Sequence, residues 1–192
     1  MNCIMDKKNS HDKRKEVHLM NYRIHMIGMC VGMLLFLTSY SRTQEQATEL
    51  QHYPLDSLEG ILTQSGVELD QKISSDGKGS LKISAEEPTV VHLFETGDLE
   101  VEEVRLLYQA KLRTENVEGQ VFLEMWCHFP GKGEFFSRGL QNTLSGTTGW
   151  TTVETVFFLK KGENPDNVKL NLVIDGNGTI WIDDIHLLEG PL

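Results

Sequence analysis

Three pairs of adjacent carboxylates stand out along the chain: Glu86–Glu87, Glu102–Glu103 and Asp183–Asp184. Two carboxylates that converge on one bond are the working groups of glycoside hydrolysis. The surroundings of the third pair, "GTIWIDDIHL" from Gly178 to Leu187, are rich in β formers. A strand sends neighbouring side chains to opposite faces, so an adjacent pair in a strand cannot flank one bond. The same geometry separates Cys127 from His128 as nucleophile and base, and Cys127 reads as a small core residue. "SDGKGSL" lacks the spacing of a phosphate loop, and the glycines of "DGNGTIWIDD" are misplaced for an EF-hand. Asn177-Gly178-Thr179 is a glycosylation sequon, relevant only in a eukaryotic secretory pathway. With no nucleophilic triad and no cofactor fingerprint, the sequence reads as non-catalytic.

The elements that position these residues are short strands. "VRLLYQAKL" alternates Val104, Leu106, Tyr108, Ala110 and Leu112; "VKLNLVI" alternates Val168, Leu170, Leu172 and Ile174. "QVFLEMWCHF" puts Val121, Leu123, Met125 and Cys127 on one face and Phe122, Glu124, Trp126 and His128 on the other. "GVELDQKI", "GSLKISA", "TVVHLFE" and "WTTVETVFFL" complete the set, and "SSDGKG", "EEP", "PGKG", "SGTTG", "KKGENPDN" and "DGNG" mark the gaps. Past residue 55 no segment holds a helical period for three turns. The expected class is all-β, a two-sheet β-sandwich, with a jelly roll its natural form at eight or nine strands. Asn177-Gly178 predicts a two-residue type I′ turn joining "VKLNLVI" to "TIWIDDIHL". Ile180 and Ile182 share one parity, whereas Ile185 and Leu187 share the other. If all four face inward, the alternation slips at Asp183–Asp184, as at a β-bulge.

Residues 1–41 have the pattern of a signal peptide: a basic stretch, the apolar run "IHMIGMCVGMLLFL", then small residues. The run is shorter than the roughly 20 residues of a spanning helix. Met20 offers an alternative start. Cys30 lies inside the apolar run rather than at the expected cut after Ser41, which disfavours a lipid anchor. Residues 42–54 read as a polar linker with room for a short helix in "QEQATEL", and 55–192 as the sandwich. Cleavage would remove six of 18 basic and three of 28 acidic residues, leaving 12 and 25 and a formal charge of −13. That balance argues against nucleic acid and suits cations and solubility in a secreted, periplasmic or extracellular setting. Cys127 would be the sole remaining cysteine, so no internal disulfide is available.

"SSDGKGSLKI", "YQAKLRTENVEGQVFLEMW", "GTTGWTTVETVFFL" and "GNGTIWIDDIHL" occur in that order over about residues 74–188. Together they resemble the sequence elements of secreted carbohydrate-binding modules of the galactose-binding-like jelly-roll type. In that resemblance "YQAKLRTENVEGQVFLEMW" is a strand pair, and the aspartate after "W-I" of the last strand, here Asp183, holds a structural calcium. Glu59, Asp76 and carbonyls near Gly77 and Lys78 are the other implied ligands, and oxygen donors suit that ion. The alternative leaves Asp183 hydrogen-bonded to a neighbouring loop without metal and Asp184 solvated.

The resemblance also implies a glycan or polysaccharide partner, held on the concave sheet or at loop tips by aromatic stacking and polar side chains. The face of Phe122, Glu124, Trp126 and His128 offers that mixture, with Arg138 on the next strand. Trp150 and Trp181 are implied packing residues, and His92 and His186 read as surface residues. A different function on the same fold is a protein-interaction or adaptor domain with a protein partner.

Overall fold

The computed structural model describes residues 47–192. Strands β1 (Thr48–Tyr53), β2 (Val67–Asp70), β3 (Ser80–Ala85), β4 (Thr89–Thr96), β5 (Val104–Phe129), β6 (Gly133–Arg138), β7 (Leu144–Phe158) and β8 (Asn167–Pro191) are the regular structure among these residues. All pair antiparallel. β5 and β8 run side by side from Val104 opposite Pro191 to His128 opposite Asn167 and form the spine. The first half of β5 and the second half of β8 carry β7 on one side and β3, β2 and β1 on the other. The remaining halves carry β6 and β4. The spine thus belongs to both layers of the sandwich. The residues of the expected signal peptide lie outside the described range.

The spine departs from two sequence expectations. Asn177-Gly178 is not a hairpin turn, and 108–126 is not a strand pair; each lies within one continuous strand. Glu118 pairs with Asn177 and Gly119 with Gly176. A methyl group on Gly119 would collide with the Asp175 carbonyl, and one on Gly176 with the Glu118 carbonyl. Both residues have positive φ. Here glycine permits two backbones to approach as they pass from one layer to the other, a use that resembles a turn signal in the sequence. "SGTTG" likewise lies inside β7. β1 also falls within the stretch read as linker: Thr48 pairs with Glu189 and Tyr53 with Ile185, so the sheet begins before residue 55.

The apolar alternation builds one core. On β5 the buried set is Leu106, Tyr108, Ala110 and Leu112, then Val121, Leu123, Met125 and Cys127. The parity changes where Asn116 adopts φ 52 and the register with β8 shifts. On β8 the set Val168, Leu170, Leu172, Ile174, Ile180 and Ile182 gives way to Ile185 and Leu187. That change falls at Asp183–Asp184, where Asp184 has φ 53 and Gln109 and Lys111 face His186 and Asp183. The extra residue is a β-bulge, at the expected place. Each fully buried Leu or Ile contributes about 1.5–3 kcal/mol. Cys127 is one of this buried set, and desolvation pushes its thiol up to about 12.

Candidate functional site

Because Val121 to Cys127 face inward on odd numbers, Phe122, Glu124, Trp126 and His128 face outward on the β4-β8-β5-β6 layer. Register adds neighbours from both sides. Arg138 of β6 pairs with Glu124, and Phe136 with Trp126; Asn171 of β8 also lies opposite Glu124. His92 of β4 lies opposite Asn171.

Glu124 organises the face. It is 4% exposed. Its Oε1 accepts the indole N–H of Trp126 at 2.7 Å and the amide N–H of Asn171 at 3.3 Å, and its Oε2 accepts Arg138 Nε–H at 2.6 Å. Burial favours the neutral acid, but these three donors and the Arg138 charge prevail and hold the carboxyl below its ordinary range. The Asn171 carbonyl oxygen in turn meets His92 Nδ1 at 3.0 Å. Beside this network the Trp126 ring lies 4.9 Å from the Phe136 ring, tilted by 43°, with the Arg138 guanidinium 4.8 Å from the Phe136 centroid. Phe136 is 51% exposed.

Of the five residues read from the sequence, Glu124, Trp126 and Arg138 thus form one bonded group. His128 sits at the end of the face and pairs with Asp166. Phe122 is only 6% exposed, so it packs beneath the face rather than presenting a ring. Asn171, His92 and Phe136 were not expected. Asn171 had a signal, an uncharged polar residue at an outward position between Leu170 and Leu172. Phe136 and His92 enter by register alone. The face can bring aromatic surface and the Arg138 guanidinium to one polyhydroxylated ligand, with buried Glu124 and Asn171 holding them in place. Another of its carboxylates, Glu134, is held by Lys169 Nζ at 2.6 Å.

No family model and no curated protein matches this chain. Among solved structures it is similar to the CBM22-1 xylan-binding domain from Paenibacillus barcinonensis Xyn10C, with TM-score 0.57 at 10% identity, covering 78% of this chain and 99% of that one. It is also similar to the CBM22-1 and GH10 modules of Clostridium thermocellum endo-1,4-beta-D-xylanase 10B complexed with xylohexaose, with TM-score 0.56 at 13% identity over 74% of this chain and 28% of that one. The fold is the β-sandwich of carbohydrate-binding modules. On this carbohydrate-binding-module fold, identities so low transfer no site residue. No helix among the described residues is long and apolar enough to cross a membrane.

The bulge in β8 gives the sandwich two aspartates with opposite surroundings. Asp183 is 0% exposed. Its Oδ2 accepts the Ser75 N–H at 2.7 Å, while its Oδ1 is buried without a donor. Desolvation raises its pKa, and the Ser75 N–H opposes the rise. Asp56 Oδ1 and Ser75 Oγ are also buried without partners. Asp56 abuts the "DGKGS" loop, its Cα 3.6 Å from where a Cβ on Gly79 would stand. Asp76 is turned to its own loop, accepting Lys78 N–H at 2.9 Å and pairing with Lys78 Nζ at 3.1 Å. Glu59 lines a neighbouring cleft with Tyr53, Asp56 and Phe94. Asp184 points outward to Lys111 Nζ at 2.8 Å and His52 Nε2 at 2.9 Å. Burial works against its charge, but those partners hold its pKa at about 2.

Proposed function

We propose that this protein is an exported, non-catalytic glycan-binding protein that recognises a polysaccharide on the Trp126–Phe136 face. The observation that carries the reading is the Glu124 network. A carboxylate, an amide and a guanidinium are fixed beside a partly exposed indole and an exposed phenyl ring. Rings of this kind take the C–H face of a sugar, while the half-exposed Arg138 takes its hydroxyls and buried Glu124 and Asn171 fix the group. A xylan-binding domain and a complex with xylohexaose among the similar folds support a glycan as the ligand class. Export rests on the leader pattern of residues 1–41.

The same reading includes a structural calcium beside Asp183. Two orphaned carboxylate oxygens, on Asp183 and Asp56, and the Ser75 hydroxyl fit a hard cation, with Asp76 and loop carbonyls completing an oxygen set. The ion would neutralise buried charge and tie the "DGKGS" loop to β8. A glycan array probed with the full chain tests the ligand class. Retention on β-linked plant polysaccharides is expected; an array without signal in calcium-containing buffer contradicts the proposal.

A further inference from the structure

The outward face of β1 and β8 carries a second constellation. β1 has a register shift between Glu49 and Gln51 that turns both Glu49 and His52 to the same side. His52 lies directly opposite His186. The two imidazoles stack at 4.3 Å with an interplanar angle of 5°. Both Nε2 atoms meet one oxygen, Asp184 Oδ1, at 2.9 and 3.0 Å. An ionised carboxylate only accepts, so each ring donates its Nε2–H there. In the neutral tautomer Nδ1 of each ring then carries a lone pair. His186 Nδ1 nevertheless stands 2.6 Å from Glu49 Oε2. At that distance the contact holds a proton; a metal ion bound here would replace that proton and hold the two atoms farther apart, at about 3 Å.

We propose that Glu49, His52 and His186 bind a borderline divalent transition metal, with zinc the representative ion. Each offers one ligand atom, and the three atoms lie within 4.8 Å of one another. With the rings stacked nearly parallel, their Nδ1 lone pairs run side by side, so a shared ion requires the exposed His52 ring to turn toward it, whereas a proton on the His186–Glu49 pair leaves His52 Nδ1 unused. Two imidazoles and a carboxylate select zinc, copper or nickel rather than calcium, which prefers an all-oxygen set. Asp184 serves as the outer partner that fixes ring tautomer and orientation, itself anchored by Lys111. Glu49 and His52 are half exposed, so the remaining coordination positions open to water. The ion would pin β1 to β8. This site is distinct from the oxygen cluster at Asp183, which faces inward.

The test is calorimetric titration of zinc chloride into chelator-treated, full-length protein in excess calcium, with His52→Ala, His186→Gln and the double variant alongside. One zinc per chain is expected, undisturbed by calcium, weakened about tenfold or more in either single variant and lost in the double variant. Cobalt(II) as a spectroscopic substitute should give visible absorption bands that the double variant lacks. Retained circular dichroism in the variants would tie the loss to ligation rather than unfolding. Absence of zinc binding to wild type, or equal binding by the double variant, overturns the proposal.

Discussion

Each layer of the sandwich holds an ordered carboxylate on its outer face, and the two are built alike. Glu124 is gripped by a cation, Arg138, and by ring N–H of Trp126; Asp184 by a cation, Lys111, and by the imidazoles of His52 and His186. The difference lies in the rings and in depth. Trp126 and Phe136 offer flat hydrocarbon, which suits sugar, whereas imidazoles offer nitrogen lone pairs, which suit a metal. Glu124 is nearly inaccessible, while Asp184 is partly open to solvent. One strand device thus presents two different chemical surfaces according to the side chains that register places around it.

The largest effect is expected where the two faces join. Gly176→Val would drive a side chain into the Glu118 carbonyl at a backbone angle that disfavours it. A loss above about 4 kcal/mol should follow, read as failure to fold or a collapsed urea midpoint. A midpoint like the wild type's would show that the layers do not depend on this crossing. The two carboxylates come next. Glu124→Ala strands the donors of Trp126 and of Asn171, which is 2% exposed, at about 1–3 kcal/mol for each donor left buried. Asp184→Ala frees partners that water can reach, so about 1 kcal/mol or less is expected. Equal losses in chemical denaturation would erase the contrast in depth.

Acid sharpens the comparison further. Glu124 has a folded pKa below its unfolded value, so its contribution is present above the ordinary carboxylate range and lost as pH falls through the depressed value. Asp183 runs the other way: its folded pKa is raised, so its neutral form helps below the ordinary range and that help fades as pH rises through the raised value. In chelator, Asp183→Asn should therefore be more stable than wild type at neutral pH, and calcium should no longer move its melting temperature. For wild type, calcium at about 100 times its dissociation constant should add about 2.7 kcal/mol. Superimposable wild-type melting curves in calcium and in chelator would contradict the calcium reading.

Local pattern carried much of this to the sequence reader. Inward and outward sets on β5 follow from alternation, and the slip at Asp183–Asp184 is visible because Ile182 and Ile185 must both be buried. What depends on distant partners was not legible. Asn177-Gly178 has turn chemistry, yet the need for glycine at 178 is set by Val117 and Asn116, far away in the chain. Phe136 and His92 join the aromatic face only through strand register. His52 lay in a stretch polar enough to read as linker, and its pairing with His186 spans the length of the domain.

The glycan face is tested most directly by Trp126→Ala, measured for polysaccharide affinity by calorimetry and for stability by thermal melting on the same preparation. The indole lies outside the inter-sheet core but donates to buried Glu124, so a loss of about 1–2 kcal/mol is expected, short of what a core Trp costs. Loss of a central aromatic contact should weaken binding by about 2 kcal/mol or more. Normal affinity in this variant, or a destabilisation of the 3–5 kcal/mol order seen when a core Trp is truncated, about what a buried indole costs, would contradict the account.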